Sequence, residues 1–190
     1  EGLPQAAVLP FDLESEDENL FIELTQLIGT HFGHLDGALL NASVLGQRTM
    51  LDNYHWDTWQ KVMKINVNGQ FLLTKHLIPL LREAPADASL IYTTSSVGRE
   101  GRAYWGAYSV SKFATEGLMQ VAAQELENTS NIRVNCINPG ATRTGMRASA
   151  YPAENPATVK PASEIMDLYL HLMSPASIGT HGQSLDAQPK

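Results

Sequence analysis

An α/β protein built on a doubly wound parallel sheet is the fold class this sequence predicts. Three features of its 190 residues point there. Short apolar runs alternate with longer stretches of helical spacing. The runs stop at small, polar or turn-forming residues. The helical stretches are long enough to serve as crossovers between parallel neighbours. In such a fold ligands bind beyond the carboxyl ends of the strands, where the polar residues of this chain collect.

The first apolar run, residues 6–11, is closed by Asp12 and reads as a buried strand; residues 35–40 read the same way and lead into Asn41-Ala42-Ser43. Between them, residues 17–31 place Leu20, Leu24, Leu27 and Ile28 at helical spacing, as an inward face. A second helical stretch spans 56–81, a strand 89–94 ends in Ser95-Ser96, and a third helix covers 104–127. The strand at 132–137 ends in Asn138-Pro139-Gly140. Residues 144–161 contain three prolines among many small residues and read as a mobile segment able to cover a substrate. An amphipathic helix at 162–173 and a short strand at 182–185 complete the pattern. With 43% hydrophobic residues the chain reads as a single domain, 1–190, around one core.

Composition narrows the function. A net charge of -7 without a Lys/Arg cluster argues against nucleic acid as a partner. No apolar run nears the ~20 residues of a bilayer span, and the first residues lack the pattern of a signal peptide, so a cytoplasmic protein without membrane contact is expected. The one cysteine, Cys136, falls in an apolar run and reads as a buried structural thiol. Of the six histidines only His31 and His34 are neighbours in sequence, too few ligands for a catalytic metal.

Tyr108 and Lys112 stand four apart in a helical stretch, on one face and about one turn from each other. A cation beside a phenol favours the phenolate and lowers its pKa, and a phenol shifted toward neutrality can pass a proton to or from an oxygen. Taken alone, such a pair is common on surface helices. Ser95 sharpens it: thirteen residues earlier, at the end of a strand, its hydroxyl can hydrogen-bond the oxygen that Tyr108 protonates, although a Ser-rich turn reads equally well locally. Asn66 interrupts an apolar helix, where an amide needs partners; it either settles a kinked turn or orients a water.

These residues resemble the short-chain dehydrogenase/reductase family in spacing as well as type. The resemblance implies a Rossmann-like domain with a catalytic set of Ser95 polarising a carbonyl, Tyr108 exchanging the proton, Lys112 tuning Tyr108 and binding the nicotinamide ribose, and Asn66 in a proton relay. Asp12-Leu13 matches the pair that contacts adenine. Asn41-Ala42-Ser43 matches the family's Asn-Ala-Gly, with serine replacing glycine and crowding the cofactor side. Asn138-Pro139-Gly140-Ala141-Thr142-Arg143-Thr144 matches the segment in which Pro139 and Gly140 form the turn, Thr142 holds the carboxamide and Thr144 approaches the phosphates.

No Gly-rich phosphate turn follows a strand anywhere in this sequence. It is therefore expected to start near the family's third strand, lacking the first two, and to leave residues 6–11 without a sheet neighbour. The implied function is hydride transfer between NAD or NADP and a small-molecule carbonyl or secondary alcohol. The NAD/NADP choice cannot be read, because its determinant lies at the end of the second strand. Met146 and Tyr151 are candidate substrate walls. A catalytically silent dinucleotide-binding or interaction protein on the same scaffold, or an inactive fragment, is the alternative. Apolar residues on several faces of the helices at 56–81 and 104–127, together with the family's habit of pairing them, predict a homodimer or homotetramer.

Overall fold

The computed structural model describes residues 6–189. Four parallel strands, β1 (Gly37–Leu40), β2 (Ala88–Thr93), β3 (Ile132–Asn138) and β4 (Ser184–Asp186), lie in sequence order across one sheet. Parallel neighbours require crossovers. Helices α2 (Trp56–Met63) and α3 (Gly69–Arg82) connect β1 to β2, and α4 (Gly106–Leu126) connects β2 to β3. Helices α5 (Gly145–Ala150) and α6 (Met166–Met173) lie between β3 and β4. Both sheet faces are covered, which makes the fold α/β and Rossmann-like as the sequence predicts.

Alternation along the strands divides the core in two. Leu90 and Tyr92 of β2, with Val134 and Cys136 of β3, pack against Leu77 and Leu81 of α3 and Met119, Ala123 and Leu126 of α4. Ile91 and Ile137, one residue out of phase, face Tyr169 and Leu172 of α6. β2 and β3 are buried along almost their whole length, as central parallel strands require. Cys136 is fully buried and free, in keeping with a structural thiol.

Several expectations are corrected. Residues 6–11 form no strand; Val8 is 89% exposed, and Phe11 instead packs edge-on against Phe21 of α1 (Glu18–Phe32), 4.8 Å between centroids. Among the described residues β1 pairs with β2 alone, and no strand lies where residues 6–11 would have to hydrogen-bond. In α1, capped by Asp17 and closed by Gly33 at φ 79°, the buried positions are Phe21 and Thr25, whereas Leu20 and Leu27 stay 40% and 42% exposed. Leu24 is half-buried and Ile28 packs against the main core as expected, so the inward stripe is rotated, not lost, where the helix lies on α3 and Phe11.

The single helix expected at 56–81 is broken by a π-turn, Lys64–Asn68, with Asn66 at its centre. α4 begins at Gly106 and not at Tyr104, because Tyr104 has a left-handed φ of 71°. Residues 144–161 carry regular structure beyond the expected loop: they contain α5 and a short 3-10 turn, Pro156–Thr158. Arg147 grips Glu154 with two hydrogen bonds of 2.7 and 2.6 Å, and Thr142 bridges to Lys160. The prolines serve as starters here: Pro156 stands at the first position of its turn, where its missing N–H is not needed. The helix expected at 162–173 starts as a 3-10 turn, Ala162–Ile165, before α6.

Candidate active site

An open cleft of about 590 Å³ lies beyond the carboxyl ends of β1, β2 and β3. Three segments that follow the strands build it: Asn41-Ala42-Ser43 after β1, Thr94-Ser95 after β2, and Pro139-Gly140 with Thr142 and Thr144 after β3. The parallel arrangement brings these together, since every strand ends on the same side.

Ser95 is held where β2 stops. Its extended backbone caps the turn Ser96–Gly98, and its hydroxyl accepts a long hydrogen bond from Val97 N–H, 3.4 Å. Ser109, next to Tyr108 on α4, donates to Val97 O at 2.6 Å and fastens that turn to the helix. Gly98 makes the fit possible: a Cβ there would stand 2.7 Å from Lys112 Cβ and 2.8 Å from Lys112 backbone atoms.

Tyr108 lines the cleft and Lys112 lies one turn behind it, 3% exposed. The lysine Nζ donates to Thr93 O at 2.7 Å and lies 5.5 Å from the Tyr108 ring centroid. Burial pushes the Tyr108 phenol up to about 12, against a hydrogen bond with Ser95 that pulls the other way. Burial brings Lys112 down to about 8. The expected lowering of Tyr108 by its neighbouring cation is therefore not seen in the protein alone. Removing the phenol from water disfavours its anion more than anything nearby favours it, and the same burial weakens the cation.

Asn66 sits apart from the cleft. Its amide donates to Val44 O at 2.9 Å and to Ser111 Oγ at 3.0 Å, and its Oδ1 accepts from Val44 N at 2.8 Å. These bonds tie the π-turn to the segment after β1 and to α4, in keeping with the kinked-turn reading of Asn66. Asp12 and Leu13 do not line the cleft; the Asp12 carboxylate accepts from Glu14 N, and Leu13 O lies where a side chain at Gly69 would collide, 2.8 Å from its Cβ position. Met146 and Tyr151 do line it.

Sequence reading missed Trp105, Tyr169 and Thr94, all of which line the cleft, and Arg48 at its rim. Trp105 carried a signal, an aromatic residue three positions before Tyr108. Arg48 carried none, because its partners Tyr104 and Ala150 are 56 and 102 residues away. Among the described residues no group of three or more His, Cys, Asp or Glu is placed to hold a metal, and no helix is long and apolar enough to cross a membrane.

The cleft suits an extended polar ligand such as a dinucleotide. Thr94 Oγ1 is buried against it without a hydrogen-bond partner among the described residues, and an orphaned hydroxyl beside a cleft is costly unless a ligand completes it. Gly140, at φ 72°, keeps the segment after β3 in a turn that a side chain would strain.

Comparison with known proteins gives the same picture. The sequence profile of the short chain dehydrogenase family matches residues 2–155. The uncharacterized oxidoreductase YciK of Escherichia coli is 52% identical over 167 residues, 88% of this chain and 65% of that protein. A 2,5-dichloro-2,5-cyclohexadiene-1,4-diol dehydrogenase of Sphingobium indicum is 36% identical over 130 residues, 68% of this chain and 51% of that one. The chain thus spans less than two thirds of the length of these relatives. A crystal structure of an Escherichia coli protein complexed with NADPH superposes with a TM-score of 0.91 at 49% identity, covering 94% of this chain and 73% of that one.

Proposed function

This chain belongs to the short chain dehydrogenase family, and from that premise we propose that the whole protein is an oxidoreductase moving a hydride between NAD or NADP and a small-molecule carbonyl or secondary alcohol. Ser95 and Tyr108 meeting at the cleft, with Lys112 one turn behind, carry this reading. The NADPH bound by the Escherichia coli neighbour supports the choice of cofactor, and the ring alcohol in the name of the Sphingobium relative supports the choice of substrate class.

Asn41, Ala42, Ser43, Pro139, Gly140, Thr142 and Thr144 are proposed to hold the dinucleotide, with Asp12 and Leu13 toward the adenine and Lys112 toward the nicotinamide ribose. When bound, the cofactor supplies or accepts the hydride. Ser95 donates a hydrogen bond to the substrate oxygen and fixes its position. Tyr108, protonated at neutral pH, is the general acid of carbonyl reduction in this reading; burial, which raises its phenol to about 12, makes it a weaker acid, and the Lys112 cation behind it works in the opposite direction. Lys112 keeps three N–H donors and spends one on Thr93 O, leaving others for the ribose or the phenol. Asn66 acts through position, holding the segment after β1 against α4.

The decisive variant is Tyr108→Phe in the full-length protein, assayed by NADPH and NADH consumption over a panel of ketones and aldehydes. Loss of the proton donor is expected to lower turnover by about 100-fold or more while cofactor binding persists. Normal turnover by this variant would sink the assignment. Binding of cofactor without turnover by the unaltered protein would favour the catalytically silent alternative.

The exposed stripe Val110, Phe113 and Val121 on α4, 43%, 46% and 55% exposed, supports self-association as a homodimer or homotetramer. Gly117 lies between Phe113 and Val121 with open space above it, which leaves room for a second helix to approach.

A further inference from the structure

Trp105 stands at the start of α4, its ring 5.7 Å from that of Tyr108 and 5.9 Å from that of Tyr151. All three rings line the cleft, so the substrate end beside the Tyr108 phenol is walled by aromatic faces. The backbone that presents Trp105 is unusual. Tyr104 before it is left-handed at φ 71°, and Gly106 after it has φ 31°, where an added Cβ would come within 2.5 Å of the Tyr54 ring. A non-glycine residue held in that region is strained and persists only where its surroundings impose it.

Arg48 imposes it. Its Nε donates to Tyr104 O at 3.2 Å and an Nη donates to Ala150 O at 2.8 Å, linking the turn before α4 to the end of α5. Its guanidinium also stacks over Trp105 at 4.1 Å and reaches Tyr151 at 5.4 Å. From the other segment, Arg147 stacks on Tyr151 at 3.8 Å and is neutralised by its pairing with Glu154. Among the described residues Arg147 is the one charged side chain in the cleft lining, and it is paired with Glu154.

We infer that Trp105 is a specificity-determining residue and Arg48 its positioning residue, the pair selecting neutral, flat, ring-bearing ketones and secondary alcohols over acyclic ones. A flat ring gains offset or edge contact with Trp105 and Tyr151, which a flexible chain cannot match and must lose rotamer freedom to approach. A carboxylate-bearing substrate finds among the described lining residues only Arg147, already paired with Glu154, while Arg48 at the rim is engaged by Tyr104 O and Ala150 O and by the Trp105 face. The inference rests on the oxidoreductase reading for what the site does with the ligand, but its test reads binding alone.

The test is calorimetric titration of the full-length protein, with and without saturating NADP, which cannot reduce a ketone, using 1-tetralone and 2-decanone, neutral ketones of equal carbon number. The unaltered protein is expected to prefer 1-tetralone. Trp105→Ala should weaken 1-tetralone by about tenfold or more with 2-decanone little changed, and Trp105→Phe should retain most of the preference. Arg48→Ala should weaken 1-tetralone severalfold while leaving NADP affinity unchanged. Equal affinity for the two ketones, no binding of 1-tetralone, or a preference untouched by Trp105→Ala would each overturn the inference. Failure of the hydride-transfer reading would show elsewhere, as ring-selective binding without cofactor consumption.

Discussion

At the scale of single residues the site is governed by desolvation. Burial disfavours the charged form of both Lys112 and Tyr108, the lysine falling from 10.5 to about 8 and the phenol rising from 10.0 to about 12, although Lys112 remains protonated at neutral pH. Each shift makes stability depend on pH. For Lys112 the folded pKa is depressed, so between about 8 and 10.5 the unfolded chain binds more protons than the folded one and stability rises with pH. For Tyr108 the folded pKa is raised, so between 10.0 and about 12 the unfolded chain loses its proton first and stability falls. Lys112→Met removes the first contribution only. In urea unfolding, the stability of the unaltered protein relative to Lys112→Met is expected to improve by on the order of 3 kcal/mol between pH 7 and pH 10.5. A difference independent of pH would show that Lys112 is not held as a buried, weakened base.

At the scale of elements, a polar knot fixes the turn that carries Ser95. Arg99, just past that turn, donates from Nε to Glu116 at 3.3 Å and to Ser184 at 3.0 Å, and from an Nη to Asp186 at 2.8 Å. Glu116 belongs to α4, Ser184 and Asp186 to β4, and Asn138 at the end of β3 donates to the same Asp186 oxygen at 2.9 Å. Four elements converging on the strand ends are thereby joined by one brace. Arg99→Ala is expected to cost about 1–2 kcal/mol in chemical denaturation, because it leaves the 7%-exposed Glu116 without its cation. Arg99→Lys should recover only part, since an ammonium cannot reproduce the guanidinium fork. The π-turn at 64–68 is the second such device: it widens the helix by one residue so that Asn66 reaches Val44 and Ser111 together.

At the scale of the whole molecule, the apolar stripe on α4 bears on assembly. Val110, Phe113 and Val121 lie on one side of the helix, away from the face of Met119, Ala123 and Leu126 that covers the sheet. Analytical ultracentrifugation at micromolar concentration should find a dimer or larger species. Phe113→Glu should shift it toward monomer, since a carboxylate buried at a helix pair would be unpaired. A monomeric unaltered protein would remove the proposal.

Periodicity and punctuation made most of the elements legible: β2, β3, α4 and α6 lie within a few residues of where the apolar runs and turn residues predict them. Ser95, Tyr108, Asn41, Gly140 and Thr142 could also be found, because strand ends in a parallel sheet converge on one side whatever else the fold does. These features are local, and one stretch of chain is enough to encode them. The fate of residues 6–11 was not local: an apolar run becomes a strand only if a neighbour offers its hydrogen bonds, and among the described residues β1 pairs with β2 alone. The inward stripe of α1 likewise depended on the helix beneath it. The direction of the Tyr108 shift was also decided by tertiary structure, since the spacing to Lys112 shows that a cation is near but not how much water both groups lose. Arg48 over Trp105 joins residues whose proximity exists only once the strands have brought their ends together. The sequence alone determined the order of elements and the chemistry at their ends; packing decided which runs could pair, how dry the phenol became, and which rings wall the substrate end.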